Sequence, residues 1–236
     1  AVNAYNLATR QVRVLGQFSL AGGCSPNGSA LQTTMTTAQG AYHGTPSTLI
    51  WAQPNLIVVQ SSCTGQGLTM FKVGGKPTSL KGWSAGVLSP DGKTIAAAVL
   101  PSSSRSATPQ VGAINVATGK TRILNARVGA NALTWTHDGK DIIAVAEPSN
   151  PAGGSVQISK LTPDGKTVTA LGAIKAAGAY HPSVDHTNHS LALAVVASAS
   201  AGAVAPPMIS IEFVPTTTAG PARTFFINSG EPAWRP

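Results

Sequence analysis

The chain has 236 residues, of which 42% are hydrophobic and only 10% are charged, and its formal net charge is +8. This apolar content excludes a charge-rich disordered segment and suffices for one all-β domain of the larger kind. The basic residues are scattered along the chain rather than clustered, which predicts no nucleic-acid partner. No run of 18 apolar residues occurs, so the sequence contains no predicted transmembrane helix.

The chain starts with a predicted hairpin, because AYNLATRQVRVL at 4–15 matches AINVATGKTRIL at 113–124 almost position for position. Residues 16–43 then interrupt the pattern with a long polar stretch, which predicts an insertion loop. This loop contains Cys24, and Cys63 follows the next apolar runs. Because no CxxC motif is present, the pair favours one disulfide in an oxidising compartment over two free thiols.

After the insertion, short apolar runs bounded by Gly, Pro, Asp and Asn repeat along the chain. The clearest copies are LSPDGKTIAAAV at 88–99 and WTHDGKDIIAVA at 135–146. Each unit reads as four strands, and a four-stranded repeat of roughly 40 to 50 residues is typical of a β-propeller. The predicted blades are 44–82, 83–127, 128–175 and 176–227, with 1–15 as outer strands and 228–236 as the inner strand of a closing blade.

The repeated Asp-Gly pair admits two interpretations. In a tight hairpin, glycine supplies the positive φ and aspartate accepts hydrogen bonds from its own turn. Alternatively, Asp91 and Asp138 would be ligands or acid/base residues. Their recurrence in separate units places them far apart, so we favour the turn over paired-carboxylate chemistry.

The copies at Leu88–Ala98 and Trp135–Val145 resemble the WD40-like β-propeller repeat of the TolB C-terminal type, whose core reads roughly W-S-P-D-G-K-x-I-A-F. The final AWRP matches the opening of that repeat, whereas the copies containing Trp51 and Pro182 lack Asp-Gly. The resemblance covers nearly all of the chain outside the insertion. It implies a single all-β propeller domain of about five blades, or a fragment of a larger propeller, and it says little about activity.

The segment HPSVDHTNH groups four potential metal ligands: His181, Asp185, His186 and His189. Histidine and carboxylate at short spacing can bind a metal ion. The same segment replaces an Asp-Gly turn between two predicted strands, where polar residues are expected without any ligand. We favour the solvated turn and keep the metal site as the alternative.

Four tryptophans lie on or beside opening strands at related repeat positions: Trp51, Trp83, Trp135 and Trp234. They would either form an aromatic ligand platform or pack between blades. Recurrence at equivalent positions favours packing.

Three loops occupy the same place in successive units, between the second and third strands, at 100–110, 147–154 and 197–207. Repeat phase therefore predicts that they share one face, with Arg105, Glu147 and Asn150 as candidate binding residues.

The sequence lacks a G-x-S-x-G, HExxH or phosphate-binding glycine motif, so no catalytic residue and no cofactor are predicted. We expect a monomeric, non-enzymatic, extracytoplasmic module that binds or senses a protein, peptide or glycan, tethered to a membrane through a segment preceding Ala1. Two alternatives stay open. One is a hydrolase or lyase with its site at the propeller channel, and the other is a structural cell-surface protein.

Overall fold

The computed structural model describes residues 2–5, 12–16, 36–37, 40–41, 48–53, 56–60, 67–72, 76, 78–101, 108–150, 154–197, 209–217 and 220–226. Throughout these ranges the chain forms β-strands and turns, without an α-helix. Accordingly, none of these ranges holds a helix that could cross a membrane. The chain divides into two compact units, residues 1–84 and 85–236.

The first unit contains three antiparallel sheets. Its strands are β1 (Val2–Tyr5), β2 (Val12–Gly16), β3 (Thr36–Thr37), β4 (Gly40–Ala41), β5 (Thr48–Gln53), β6 (Leu56–Gln60), β7 (Leu68–Lys72) and β8 (Thr78–Leu80). β1 pairs with β2, β3 pairs with β4, and β5 to β8 form a four-stranded sheet in sequence order. The short β3–β4 ladder lies within the predicted insertion of 16–43.

The second unit contains three four-stranded sheets, and their first strand begins at Trp83, just before the unit boundary. The strands are β9 (Trp83–Leu88), β10 (Thr94–Val99), β11 (Gln110–Asn115), β12 (Thr121–Gly129), β13 (Ala132–Trp135), β14 (Ile142–Ala146), β15 (Ser155–Leu161), β16 (Val168–Lys175), β17 (Gly178–Val184), β18 (Ser190–Val196), β19 (Ile209–Pro215) and β20 (Arg223–Phe226). Each sheet is an antiparallel meander in sequence order.

The four-stranded sheets follow the predicted units closely. Each lies inside one unit, except that β12 continues to Gly129, past the predicted boundary at 127, because Val128 is buried. The predicted closing blade, the blade count and the single-domain organisation stay predictions, because 227–236 lie outside the described residues. Cys24 and Cys63 also lie outside them, so the disulfide remains an expectation.

The second strand of each sheet in the second unit is buried along nearly its whole length. In β14, Ile142 and Ala144 pack into one apolar cluster, while Ile143 and Val145 pack into another on the opposite face. Alternate side chains of a strand point to opposite faces, so this sheet buries both faces against its neighbours. This explains why these strands read as continuous apolar runs rather than alternating ones.

The hairpin turns have the same hydrogen bonds in successive sheets. In the β9–β10 turn the Ser89 N–H donates to the Thr94 carbonyl oxygen at 2.8 Å, and Gly92 has a φ of 71°. Asp91 Oδ1 accepts from the Ser89 hydroxyl at 2.6 Å and from the Lys93 N–H at 3.0 Å. These hydrogen bonds confirm that Asp91 serves its own turn.

The β17–β18 turn keeps this geometry without Asp-Gly. The Asp185 N–H donates to the Ser190 carbonyl oxygen at 2.9 Å, and Asn188 takes the left-handed position with a φ of 60°. Asparagine tolerates this conformation better than most residues other than glycine. The departure from the repeat consensus is therefore a substitution within a conserved turn shape.

Candidate functional site at the loop end

The sheets of the second unit have two distinct ends. We call the end with the tight turns, such as β13–β14 and β17–β18, the hairpin end. The opposite end has the segments 100–109, 147–154 and 197–208, and we call it the loop end. Since each of these segments joins a second strand to a third strand, the shared strand order puts all three at equivalent ends of their sheets.

Glu147 is the first residue after β14, at the loop end, and it is half-buried. Its backbone N–H donates to Asn131 Oδ1 at 2.8 Å, and the Asn131 N–H donates to the Val145 carbonyl oxygen at 2.7 Å. Two hydrogen bonds therefore fix the residue just before β13 to the end of β14. The Glu147 backbone is positioned by a neighbouring strand rather than left to the loop.

The Tyr180 hydroxyl donates to the Glu147 side chain from the next sheet. Tyr180 lies on β17, the first strand of that sheet, and 42% of it is exposed. A Cβ at position 178 would lie 2.8 Å from the Tyr180 hydroxyl oxygen, so glycine there leaves room for the ring end. The result is an exposed aromatic ring whose polar tip is anchored to a carboxylate.

The loop that follows Glu147 is tightly closed. The Gly154 N–H donates to the Asn150 carbonyl oxygen at 2.9 Å. A Cβ at position 154 would lie 2.3 Å from the Pro148 Cβ, so only glycine fits this close approach. The predicted binding residues Glu147 and Asn150 thus lie in one compact turn, while Arg105 lies outside the described residues.

The pair has perturbed acidities. Burial raises the pKa of Glu147, and the hydrogen bond from the Tyr180 hydroxyl opposes that rise. Burial also raises the pKa of Tyr180, as do the negative charge of Glu147 and its hydrogen bond. In the described part of the chain, neither cause acting on Glu147 is a cationic side chain. The carboxylate is therefore partly desolvated and has a neutral partner.

Glu147→Gln is expected to stabilise the protein at pH 7 by less than about 1 kcal/mol, since solvent screens a half-exposed group. The folded-state pKa of Glu147 is raised, so its ionisation costs stability as pH rises through that pKa. Below the unfolded-state pKa both forms are neutral and the gain should vanish. Chemical denaturation at pH 7 and pH 4 measures the difference. A gain of equal size at both pH values would contradict the burial argument.

The predicted metal ligands divide between the two ends of β17 and its turn. His181 lies within the strand, whereas Asp185, His186 and His189 lie in or beside the hairpin turn. Asp185 Oδ1 accepts from the N–H groups of His189 at 2.7 Å and Ser190 at 3.1 Å. Among the described residues, no group of three or more His, Cys, Asp or Glu is arranged to hold a metal ion. The metal site stays a hypothesis, and the turn accounts for Asp185.

Burial opposes ionisation of Asp185, but hydrogen bonds to its carboxylate outweigh that effect and lower its pKa. The donors are the Ser190 N–H, the Thr187 hydroxyl and the His189 N–H. A carboxylate stabilised in this way by its own turn has few acceptor positions left for a ligand.

The described tryptophan side chains are buried between sheets. Trp135 is 8% exposed, and its indole N–H donates to the Val87 carbonyl oxygen of the preceding sheet at 3.1 Å. Trp83 is 9% exposed. These two residues confirm packing rather than an exposed platform, while the side chains of Trp51 and Trp234 lie outside the described part.

Sequence reasoning missed Tyr180 and Asn131 as members of the site. Both lie five residues before the first residue of the following turn, which is Asp185 in one sheet and Thr136 in the other. The signal was a polar residue beside the small ones that open the strand. Aligning the repeats on their turns, rather than on Asp-Gly, would have found it.

Three solved structures are similar to this chain. TolB from Acinetobacter baumannii has 20% identity and a TM-score of 0.52, covering 77% of this chain and 44% of the TolB chain. Hydrazine synthase from Kuenenia stuttgartiensis has 12% identity and a TM-score of 0.57, covering 73% of this chain and 51% of its own. The nidogen/laminin complex has 11% identity and a TM-score of 0.54, covering 80% and 69%. No family model and no curated protein matches the sequence.

The repeated four-stranded antiparallel sheets and these likenesses define the chain as a β-propeller protein. The chain spans 44% of TolB and 51% of hydrazine synthase. At these identities the likeness extends to the fold and leaves activity to be argued from the site.

Proposed function

We propose that this protein is a non-enzymatic propeller module that binds a protein or peptide ligand at the loop end. The observation that carries the proposal is Tyr180, an exposed ring whose hydroxyl is held by the half-buried Glu147. Tyrosine is enriched at binding interfaces because it presents a large apolar surface with a polar tip and loses little conformational entropy. A ring already fixed by its hydroxyl loses still less on binding.

The two ends of the second unit differ in how their polar groups are used. At the hairpin end, Asp91, Asp138 and Asp164 each lie near the lysine two residues on. At the loop end, Leu100 and Ile209 are 44% and 43% exposed, which adds apolar surface to that of Tyr180. Apolar surface with a few fixed polar groups is the composition expected of a binding site.

The fold itself is compatible with a protein partner, since one similar structure is nidogen in a complex with laminin. We further propose that the module acts outside the cytoplasm, as a monomer. The support is the single pair of cysteines, which suits one disulfide in an oxidising compartment.

The Glu147–Tyr180 pair also supports an enzyme as a second candidate. A carboxyl group with a raised pKa is suited to general acid catalysis, and first strands of a propeller surround its channel. The flanking residues of β17, Gly178 and Ala179, are small and apolar, as are most residues of β13. Only one carboxyl group is shown at this position, so we favour binding over hydrolysis.

The test is selection of a displayed random peptide library on the immobilised chain, run beside a glycan array. Tyr180→Ala should weaken enriched peptides about tenfold or more, as expected when a central aromatic contact is removed. Lys140→Ala, at the hairpin end, is the control and should leave their affinity unchanged. Enrichment that is lost equally in both variants, or enrichment of glycans alone, would overturn the proposal. Turnover of a bound peptide would favour the enzyme.

A further inference from the structure

We infer that the loop end recognises a positively charged side chain of its polypeptide ligand, held between the Glu147 carboxylate and the Tyr180 ring. The inference rests on the proposed function and adds the chemistry of the ligand. Three features of the site carry it: the acceptor capacity of Glu147, the fixed ring face, and the way in which other carboxylates are used.

The first feature is the carboxylate. An ionised carboxylate can accept about four hydrogen bonds, and the Tyr180 hydroxyl supplies one to Glu147. Half-burial removes part of its water, which makes a charged donor more valuable there than at a fully exposed site. A ligand ammonium or guanidinium group would supply that donor and compensate the lost solvation.

The second feature is the aromatic ring. Cations are attracted to the face of a tyrosine ring, and the attraction grows when water is excluded. The hydroxyl of Tyr180 is held by Glu147, and the missing side chain at Gly178 lets the ring end lie close to the strand. Carboxylate and ring are therefore adjacent, so one cation can contact both.

The third feature is contrast with the other described carboxylates. Asp91, Asp138, Asp141 and Asp164 each have a lysine nitrogen within 3.9 Å. Asp185 accepts hydrogen bonds from its own turn. Glu147 differs from them because its partner is a neutral phenol, and its backbone is already fixed through Asn131. The protein carries a net charge of +8, so this acidic position is a local exception.

The experiment is an NMR titration of the intact chain with three blocked peptides: acetyl-Gly-Gly-Lys-Gly-Gly-amide, the same peptide with arginine, and the same peptide with neutral norleucine. The lysine or arginine peptide should give saturable shifts at the Glu147 amide and the Tyr180 ring. Norleucine should bind about tenfold more weakly or not at all, because it lacks the charge-assisted hydrogen bond. Comparison of the two cationic peptides shows which side chain is preferred.

Glu147→Gln keeps an acceptor for the Tyr180 hydroxyl and removes the charge, so it should abolish the preference for the cationic peptides. Tyr180→Leu removes the ring face and should also weaken them. Asp138→Asn, at the hairpin end, is the matched control that should change neither. Since Glu147→Gln is expected to stabilise the fold, a loss of binding in that variant cannot come from unfolding.

Two failures are distinguishable. If library-selected peptides bind at Tyr180 but do not prefer lysine or arginine over norleucine, the inference is overturned and the proposed function stands. If the cationic peptides shift Glu147 while no longer polypeptide binds there, the site binds cations and the proposed function fails. Equal shifts from all three pentapeptides would also overturn the inference.

Discussion

Gly165→Ala is expected to destabilise the protein by about 3 kcal/mol or more, which is at the upper end of single-substitution effects. Gly165 has a φ of 77°, and a Cβ there would lie 2.2 Å from the Leu124 carbonyl oxygen and 2.6 Å from its carbon. Both are backbone atoms of the neighbouring sheet, so no side-chain rotation can relieve the overlap. The β15–β16 turn would have to move away from β12, which also lengthens the 3.1 Å hydrogen bond from Asn125 Nδ2 to the Gly165 carbonyl oxygen.

Gly139→Ala is the matched control. Its φ is 68°, close to that of Gly165, but the nearest atom to a Cβ would be Pro90 Cδ at an ordinary 3.7 Å. It should lose only the cost of a left-handed alanine, about 1 kcal/mol. Denaturant unfolding of both variants separates backbone strain from the inter-sheet contact. Equal losses in the two would contradict the packing of the β15–β16 turn on β12.

Trp135→Ala is expected to cost about 3 to 5 kcal/mol in the free energy of unfolding. Trp135 packs in the apolar cluster that includes Ala96 and Leu133, and its indole N–H reaches the Val87 carbonyl oxygen. Trp135→Phe should lose much less, about 1 kcal/mol for the hydrogen bond together with some packing. Both are measured by denaturant unfolding at constant pH.

An exposed ligand platform would behave differently. Truncating an exposed aromatic ring usually changes stability by no more than about 0.5 kcal/mol. A small loss for Trp135→Ala, accompanied by weaker peptide binding, would therefore contradict the packing role of this tryptophan.

The strands of the second unit were predictable because local signals agree with the fold. The β10 and β14 runs are continuous and apolar, and each is followed or preceded by turn residues whose hydrogen bonds are local. The turn at Asp185 was harder to identify, because Asn188 replaces glycine and the consensus disappears from the sequence. A positive φ is a backbone property that asparagine can also supply.

The site was only partly predictable. Repeat phase put Glu147 and Asn150 in a loop at one face, because it depends only on strand order. It could not reveal Tyr180, whose hydrogen bond joins residues from two different sheets. Which side chains meet across sheets depends on their spacing and on small residues such as Gly178, and neither leaves a periodic signal in the sequence.

The most direct test of the central claim is amide hydrogen exchange of the intact chain with and without a library-selected peptide. Binding at the loop end predicts slower exchange at 147–150 and 178–181, with unchanged exchange in the hairpin turns at 89–94 and 136–141. Protection confined to those hairpin turns, with none near Glu147 and Tyr180, would contradict the account.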